Sequence, residues 1–328
     1  MVTRILIKTL EKISKRFTHD DIRTLTPISI GASTTMALWA VCYPLITISI
    51  PYAPIMLTAF FRAASAGAFL ILVALFLKRP IPSKIKDWAY ICAVGITATS
   101  TGFWGMFYAG SLISPGLATV ITNTQPIIAG LLGWYFLSER MNKLSSIGTT
   151  LGFIGIAVIS INGLTTWEKP FITGIFYILI AATGIAISNV LLKKMANGID
   201  VLYAMGFQLL IGSIPLGIIG VTQDSLQSVN WHWHYVLTLA TLAIPGTAMP
   251  FILWYWLMNK APLYQLNVYS FLTPIFGLTF GFVFFSEVLT LNQWLGVTLV
   301  IIAITLVSMA NKKHQNAIGK TATNTEEV

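Results

Sequence analysis

Arg62 is the residue of this chain whose type and setting most clearly suggest chemistry, because apolar residues surround it on both sides. Placing an arginine within hydrocarbon costs about 2.5–3.5 kcal/mol, so such a residue is a functional candidate by default. Its planar guanidinium could bind a carboxylate or phosphate through two parallel hydrogen bonds. The alternative is a structural arginine that is satisfied by backbone carbonyls or extends towards the membrane surface. Both interpretations stay open at this point.

Polar side chains share one helical face ahead of each of two prolines, Pro126 and Pro274. A proline inside a helix removes the hydrogen bond to the carbonyl four residues earlier, so we expect a helix break at both sites. Irregular backbone at membrane depth is tolerated where it faces protein or a wet cavity, which favours an inward orientation. Hydrogen bonding between helices is the alternative role. The polar residues are Thr119, Thr122 and Asn123 before the first proline, and Asn267 and Ser270 before the second.

Aromatic and amide side chains complete the candidate substrate-binding set. Trp39 and Tyr43 could pack against a planar or apolar solute, and Asn189 and Gln208 are further polar candidates within apolar stretches. Aromatic groups at 104–108 and 251–255 suit either such a wall or the belt that Trp and Tyr form at membrane interfaces. No metal-ligand spacing and no nucleophile with a base is visible in the sequence, so no metal site, cofactor or catalytic residue is predicted.

The elements that must position these residues are stretches of about 20 mostly apolar residues, the length that crosses a bilayer as a helix. The composition agrees, with 55% hydrophobic residues, 9% charged residues and a mean hydropathy of +0.77. We therefore predict an all-α integral membrane protein with ten transmembrane helices. The predicted spans are 27–50, 53–77, 88–110, 115–137, 145–163, 171–192, 202–221, 235–258, 263–285 and 293–310.

The basic residues alternate between the connectors as the positive-inside rule requires. With a cytoplasmic N-terminus, all except Arg62 and Lys169 fall on the cytoplasmic side, which is 18 of 20 (20 − 2 = 18). Both termini are then cytoplasmic. The net charge of +9 reports this orientation, so no nucleic-acid partner is predicted, and the lipid bilayer is the expected surrounding.

An internal repeat divides the chain, because residues 126–160 reappear without gaps at 274–308 (274 − 126 = 148). The identical pairs include the polar residues Ser138/Ser286 and Glu139/Glu287. Five predicted spans per copy is an odd number, so the second copy must cross the membrane inverted. Inverted repeats are typical of secondary transporters, which bind their solute near the midplane between the copies.

The predicted domains follow from this repeat. They are a basic amphipathic cytoplasmic arm (1–26), a first five-helix repeat (27–163), a second five-helix repeat (170–310) and a disordered cytoplasmic tail (311–328). Gly148 and Gly152 have the four-residue spacing that lets helices approach closely. They could form the seam of a homodimer, and packing within the monomer is the alternative.

Each half ends in a proline, then Ser-Glu after eleven residues, then a last helix that carries a glycine. In this pattern the chain resembles the EamA-type transporters of the drug/metabolite transporter superfamily over residues 27–310. The motif residues are Pro126, Ser138, Glu139 and Gly148 in the first half, and Pro274, Ser286, Glu287 and Gly296 in the second. Trp39 and Arg62 match residue types that are common at those places in the family. The resemblance implies a bacterial inner-membrane carrier with a central cavity, often an exporter of amino acids or other small metabolites.

The expected function is therefore secondary transport of a small organic metabolite, an amino acid or a related solute, by alternating access and in the direction of export. A small-molecule substrate is the expected partner, and enzyme activity is not expected because no reactive constellation is visible. Two alternatives stay open. The first is a broad multidrug exporter of the same superfamily, and the second is a membrane receptor or scaffold without transport.

Overall fold

The computed structural model describes residues 19–110, 112, 122, 124–139, 142–159, 169–195, 198–285 and 290–307. Every regular element in these residues is a helix. The first half contains α1 (His19–Ser49), α2 (Ile55–Phe76), α3 (Ile85–Val94), the π-helix π1 (Gly95–Thr101), α4 (Gly102–Gly110), α5 (Gln125–Leu137) and α6 (Lys143–Ile159). The second half contains α7 (Lys169–Met195), α8 (Val201–Gln223), a 3₁₀ turn (Leu226–Ser228), α9 (Trp233–Ala243), the π-helix π2 (Ile244–Ala248), α10 (Met249–Met258), α11 (Leu263–Tyr269), α12 (Leu272–Phe285) and α13 (Leu291–Val307).

Within the described residues, five helical segments are long and apolar enough to cross a membrane. They are Pro27–Ile46, Ile55–Phe76, Ile172–Met195, Val201–Gln223 and Trp233–Met258. The shorter apolar helices α5, α6 and α13 accompany them. The protein is thus a multi-pass membrane protein, and the count of ten spans stays a prediction.

The first helix extends beyond the predicted first span. It begins at His19 rather than at Pro27, so the last residues of the predicted arm belong to α1. Residues 1–18 of the arm and the predicted tail at 311–328 lie outside the described residues.

The second helices of the two halves, α2 and α8, pack closely and antiparallel. Gly67 lies against Gly206, and at the other end of the pair Leu57 lies against Gly220. A Cβ atom on Gly67 would come within 2.8 Å of the carbonyl oxygen of Gly206, so the absence of a side chain allows this close approach. Equivalent helices of the two copies therefore run in opposite directions, as the predicted inversion requires.

The last helices of the halves, α6 and α13, repeat this antiparallel arrangement. Gly148 lies against Val307, and Gly155 lies against Gly296, where a Cβ atom on Gly155 would meet the opposing carbonyl oxygen at 2.9 Å. The glycine face of the predicted fifth span is thus covered by the chain's own helix α13.

Both halves contain a π-helix at the same repeat position. Subtracting the offset of 148 from 244–248 gives 96–100, which lies within π1. Hydroxyl groups bond the carbonyls five residues earlier in these wide turns, from Ser100 to Gly95 at 3.4 Å and from Thr247 to Leu242 at 2.8 Å. Such turns are frequent at functional sites, and each packs here on the second helix of the opposite half.

The two prolines lie beside irregular backbone. α11 ends at Tyr269 and α12 begins at Leu272, so the helix is interrupted just before Pro274. The carbonyl of Ser270, which Pro274 cannot bond, accepts a hydrogen bond from the Thr273 N–H at 3.0 Å. Pro126 is the second residue of α5, a position where its missing N–H would have no helical partner in any case. The Ser270 carbonyl oxygen therefore accepts a backbone hydrogen bond within the turn.

Candidate functional site

A cavity of about 160 Å³ lies where helices of both halves meet. An engineered cavity of about 150 Å³ in another protein binds benzene, so this space suits a small solute. The described lining residues are Met36, Trp39, Cys42, Ile46, Arg62, Ala98, Phe103, Met106, Phe107, Thr122, Gln125, Ile185, Ser188, Asn189, Leu192, Phe251, Trp254, Ser270 and Thr273. Most of these side chains are apolar, and several are aromatic.

Arg62, in α2, is held in the cavity wall by neighbours from both halves. Its Nε donates to Thr247 Oγ1 at 2.8 Å, and its Nη2 lies 3.3 Å from both Cys42 Sγ and the carbonyl oxygen of Gly246. The guanidinium carbon lies 4.8 Å from the centre of the Phe103 ring, a cation–π contact. Only 5% of the residue is exposed, and no acidic side chain of the described residues forms an ion pair with it. In this part of the chain the positive charge is therefore buried without an anionic partner.

Thr247 is oriented to accept this hydrogen bond by the π-helix that carries it. Its hydroxyl proton is donated to the Leu242 carbonyl oxygen at 2.8 Å, so an oxygen lone pair is available to Arg62 Nε. A donation across five residues fits the wide turn of a π-helix. π2 thus positions both Thr247 and the neighbouring Gly246 carbonyl against the guanidinium.

Amide side chains form a second polar group at the cavity. Asn267 Oδ1 accepts hydrogen bonds from Gln125 Nε2 at 3.3 Å and from Asn189 Nδ2 at 3.2 Å. Asn189 Oδ1 in turn accepts from Trp254 Nε1 at 3.0 Å. We call Gln125, Asn189, Asn267 and Trp254 the amide cluster. Its hydrogen bonds join α5, α7, α10 and α11, and they fix the orientation of each amide.

Aromatic rings form much of the cavity wall. Trp39 lies 5.9 Å from Phe251 and 5.6 Å from Trp254, measured between ring centres. Phe103 and Phe107, both in α4, contribute further rings from the first half. For Phe107, Phe251 and Trp254 the structure decides between an interfacial belt and a wall, because all three are buried and face the cavity.

Apart from Gln208, the predicted substrate-binding residues fall into three groups in the structure. The cavity-lining group contains Arg62, Trp39, Thr122, Asn189 and Ser270. Asn267 lies one layer behind, in the amide cluster. Thr119 and Asn123 lie outside the described residues, and Tyr43 belongs to α1 although its side chain is outside them too.

Gln208 is placed away from this cavity. It is fully buried in α8 and accepts a hydrogen bond from Thr99 Oγ1 at 2.8 Å. It therefore joins α8 to π1 and is not among the residues that line the cavity. A polar residue in an apolar helix can face a neighbouring helix instead of a cavity, and its type alone does not distinguish the two.

Sequence reasoning missed Cys42, Gln125 and Thr247. Cys42 is not among the predicted site residues, yet its sulfur lies beside Arg62. Its position three residues after Trp39, on the same helical face, was an available signal. Thr247 carried another signal, because it is the repeat mate of Thr99 (247 − 99 = 148). Within the described residues no group of three or more His, Cys, Asp or Glu side chains could hold a metal ion.

Known proteins of similar sequence include transporters from two bacteria. The chain is 28% identical to the uncharacterized transporter YvbV of Bacillus subtilis, covering 85% of this chain and 91% of that protein. It is 30% identical to the uncharacterized transporter sll0355 of Synechocystis, covering 75% of this chain and 79% of the relative. A solved crystal structure matches with a TM-score of 0.74 at 17% identity, covering 86% of this chain and 98% of that one, and this likeness supports the fold.

A family model, that of the EamA-like transporter family, matches the chain twice, over residues 27–161 and over residues 172–309. The two matches fall on the two halves that pack antiparallel through α2 and α8. Together they cover most of the chain, so this protein belongs to the EamA-like transporter family.

Proposed function

We propose that this protein is a secondary transporter that exports a small organic metabolite by alternating access. The observation that carries the proposal is the cavity between the two halves, with the buried Arg62 in its wall and no acidic partner for it among the described residues. A buried cation of this kind is costly unless it is paired. A solute with an anionic group would supply the missing partner.

Alternating access is supported by how the cavity is built. α1, α2 and α4 contribute from the first half, and α7, α10 and the break between α11 and α12 contribute from the second. Because equivalent helices of the halves run antiparallel, exchanging the conformations of the two halves would expose the same cavity to the other side. No covalent step is needed.

Each candidate residue has a proposed role. Arg62 anchors the anionic group of the solute, and Trp39 packs against its body. Thr122, Asn189 and Ser270 offer hydrogen bonds inside the cavity, and Asn267 orients the amide cluster. Thr119, Asn123 and Tyr43 are retained as proposed path residues. We place the protein in a bacterial inner membrane with both termini in the cytoplasm, as the distribution of basic residues predicts.

The test combines ligand identification with flux. A thermal-shift screen of the purified protein against amino acids, nucleosides and organic acids identifies solutes that stabilise the folded state, and each hit is then measured for uptake into proteoliposomes. We expect Arg62→Ala to abolish transport of an acidic solute while expression is retained. Arg79→Ala is the matched control, because Arg79 lies outside the cavity and its side chain is 52% exposed. Unchanged uptake by Arg62→Ala would remove Arg62 from the site.

A broad multidrug exporter is the second candidate, favoured by the aromatic wall that Trp39, Phe251 and Trp254 form. For such an exporter, ring removal by Trp39→Ala should impair transport more than Arg62→Ala does. A resistance profile of cells that overexpress the protein separates this candidate from a dedicated metabolite exporter. A receptor or scaffold would show no solute flux in proteoliposomes at all.

A further inference from the structure

The described wall of the cavity carries a net positive charge. Among the described residues that line it, Arg62 is the one side chain that carries a full charge at neutral pH, and no Asp, Glu, Lys or His is present. Transferring an unpaired ion into such a low-dielectric site costs several kcal/mol even after relaxation, about the same for a cation as for an anion. The net charge of the solute therefore decides whether the occupied cavity is neutral.

The geometry of Arg62 leaves the Nη1 nitrogen of the guanidinium for a ligand. Nε is occupied by Thr247, and Nη2 by Cys42 and the Gly246 carbonyl. Phe103 covers one face of the group. Nη1 has no hydrogen-bond partner among the described residues, so two of the five N–H donors of the side chain stay available. One carboxylate can be held there, while a second carboxylate on the same solute would find no further cation in the described wall.

The amide cluster does not provide an anionic counterpart for an ammonium group. Its four members are uncharged, and Asn267 Oδ1 is already shared between Gln125 and Asn189. Asn189 Oδ1 is used by the Trp254 indole N–H. Gln125 Oε1 is an acceptor without a protein donor among the described residues, and it suits a neutral N–H or O–H of a solute. An amino acid would therefore bury its ammonium group without a counter-ion.

The remaining wall suits an apolar, planar body. Trp39, Trp254, Phe251 and Phe107 present ring surfaces to the cavity, and aromatic rings pack favourably against one another in offset or edge-to-face arrangements. The cavity volume of about 160 Å³ suits a body of one ring, since about 150 Å³ is enough for benzene in another protein.

From these observations we infer that the cavity selects small monocarboxylates with an apolar, planar body and no ammonium group, and that it discriminates against zwitterions and dianions of the same size. This inference rests on the proposed function for the role of the cavity as the transport site, and it narrows the solute class to one net charge.

A matched set of four solutes tests the inference directly, since they share one phenyl ring and differ in charge. Phenylacetate is the monoanion, phenylacetamide its neutral isostere, phenylglycine the same acid with an ammonium group, and phenylmalonate the dianion. We expect calorimetric titration of the purified full-length protein to show phenylacetate binding at least about tenfold more tightly than each of the other three, the difference that one hydrogen bond to a charged group supplies. Equal or tighter binding of phenylglycine or phenylmalonate would overturn the inference, as would the absence of phenylacetate binding.

Two variants test whether Arg62 is responsible for the preference for phenylacetate. In Arg62→Gln the preference for phenylacetate over phenylacetamide should disappear, whereas Arg79→Gln should retain it. If Arg62→Gln does not fold, the four-solute series on the unaltered protein still decides the question. Retained preference in a folded Arg62→Gln protein contradicts the assignment to Arg62.

Flux measurements separate this inference from the proposed function. Phenylacetate that binds with the expected preference but does not cross proteoliposome membranes supports the charge selectivity and contradicts transport. Phenylglycine that crosses as fast as phenylacetate supports transport and overturns the charge selectivity.

Discussion

Thr99 and Thr247 stand one repeat offset apart (247 − 99 = 148), and each hydrogen-bonds to a polar side chain on the second helix of the opposite half. Thr99 donates to Gln208 at 2.8 Å, and Thr247 accepts from Arg62 at 2.8 Å. Both threonines thus make the same type of contact, but the partner of Thr247 is a charged arginine and the partner of Thr99 is a neutral amide. Of these four described residues, Arg62 is the one that lines the cavity.

This pair gives a matched comparison of two valine substitutions. Thr247→Val leaves the Nε–H of a buried cation without its acceptor, and hydrogen bonds to charged groups contribute about 1.5–3 kcal/mol. Thr99→Val removes a neutral hydrogen bond, worth about 0.5–1.5 kcal/mol. We expect Thr247→Val to reduce the free energy of unfolding in detergent more than Thr99→Val does, and it alone should weaken solute binding. Equal effects of the two substitutions on binding would contradict the role assigned to Thr247.

The antiparallel contact of α2 and α8 predicts that Gly67→Ala is destabilising. The added methyl group would lie 2.8 Å from the Gly206 carbonyl oxygen and 2.9 Å from the Leu210 backbone nitrogen, and overpacking of this kind typically costs about 1–3 kcal/mol. Gly277→Ala is the control, because among the described residues, apart from its chain neighbours and the backbone of its own helix, no atom lies within 4 Å of the position where its Cβ would be. Thermal unfolding of the purified variants should show a lower midpoint for Gly67→Ala and an unchanged one for Gly277→Ala.

Glu139 caps a helix of the opposite half. Ser138, the residue that follows α5, has the left-handed conformation, with φ of 56°. The Glu139 carboxylate after it accepts from the Leu263 N–H at 2.9 and 3.2 Å. Leu263 is the first residue of α11, where N–H groups lack helical partners. We expect Glu139→Ala to cost about 0.5–2 kcal/mol of stability, as loss of a cap does, and Glu139→Gln to cost less because it keeps an acceptor oxygen. Equal stability of the alanine variant and the unaltered protein would show that the cap contributes nothing.

Membrane sidedness of the Ser-Glu connectors tests the inversion of the second copy. In a protein with Cys42 and Cys92 replaced by serine, Ser138→Cys should react with a membrane-impermeant maleimide only from the cytoplasm, and Ser286→Cys only from outside. Double labelling of intact and permeabilised cells provides the measurement. Reaction of both sites from the same side would contradict the inverted topology and, with it, the alternating-access proposal.

The sequence by itself determined the membrane class, the duplication and the candidate status of Arg62. Each of these follows from a property that can be read from the sequence alone. The properties are segment length, the constant offset of identical residues and the cost of an arginine among apolar neighbours. The inverted order also follows from counting, because an odd number of predicted crossings per copy reverses the second one.

Only the tertiary structure decided which residues meet at the cavity. Arg62 and Thr247 are separated by 185 positions in the sequence. Gln125 and Asn189 are connected because both donate hydrogen bonds to Asn267. In a soluble helix the apolar stripe marks the buried face, whereas a membrane helix is apolar on its lipid-facing and its buried sides alike. The inward face is therefore not marked by hydrophobic periodicity. For that reason Gln208 could be placed correctly only once the packing of the helices was known.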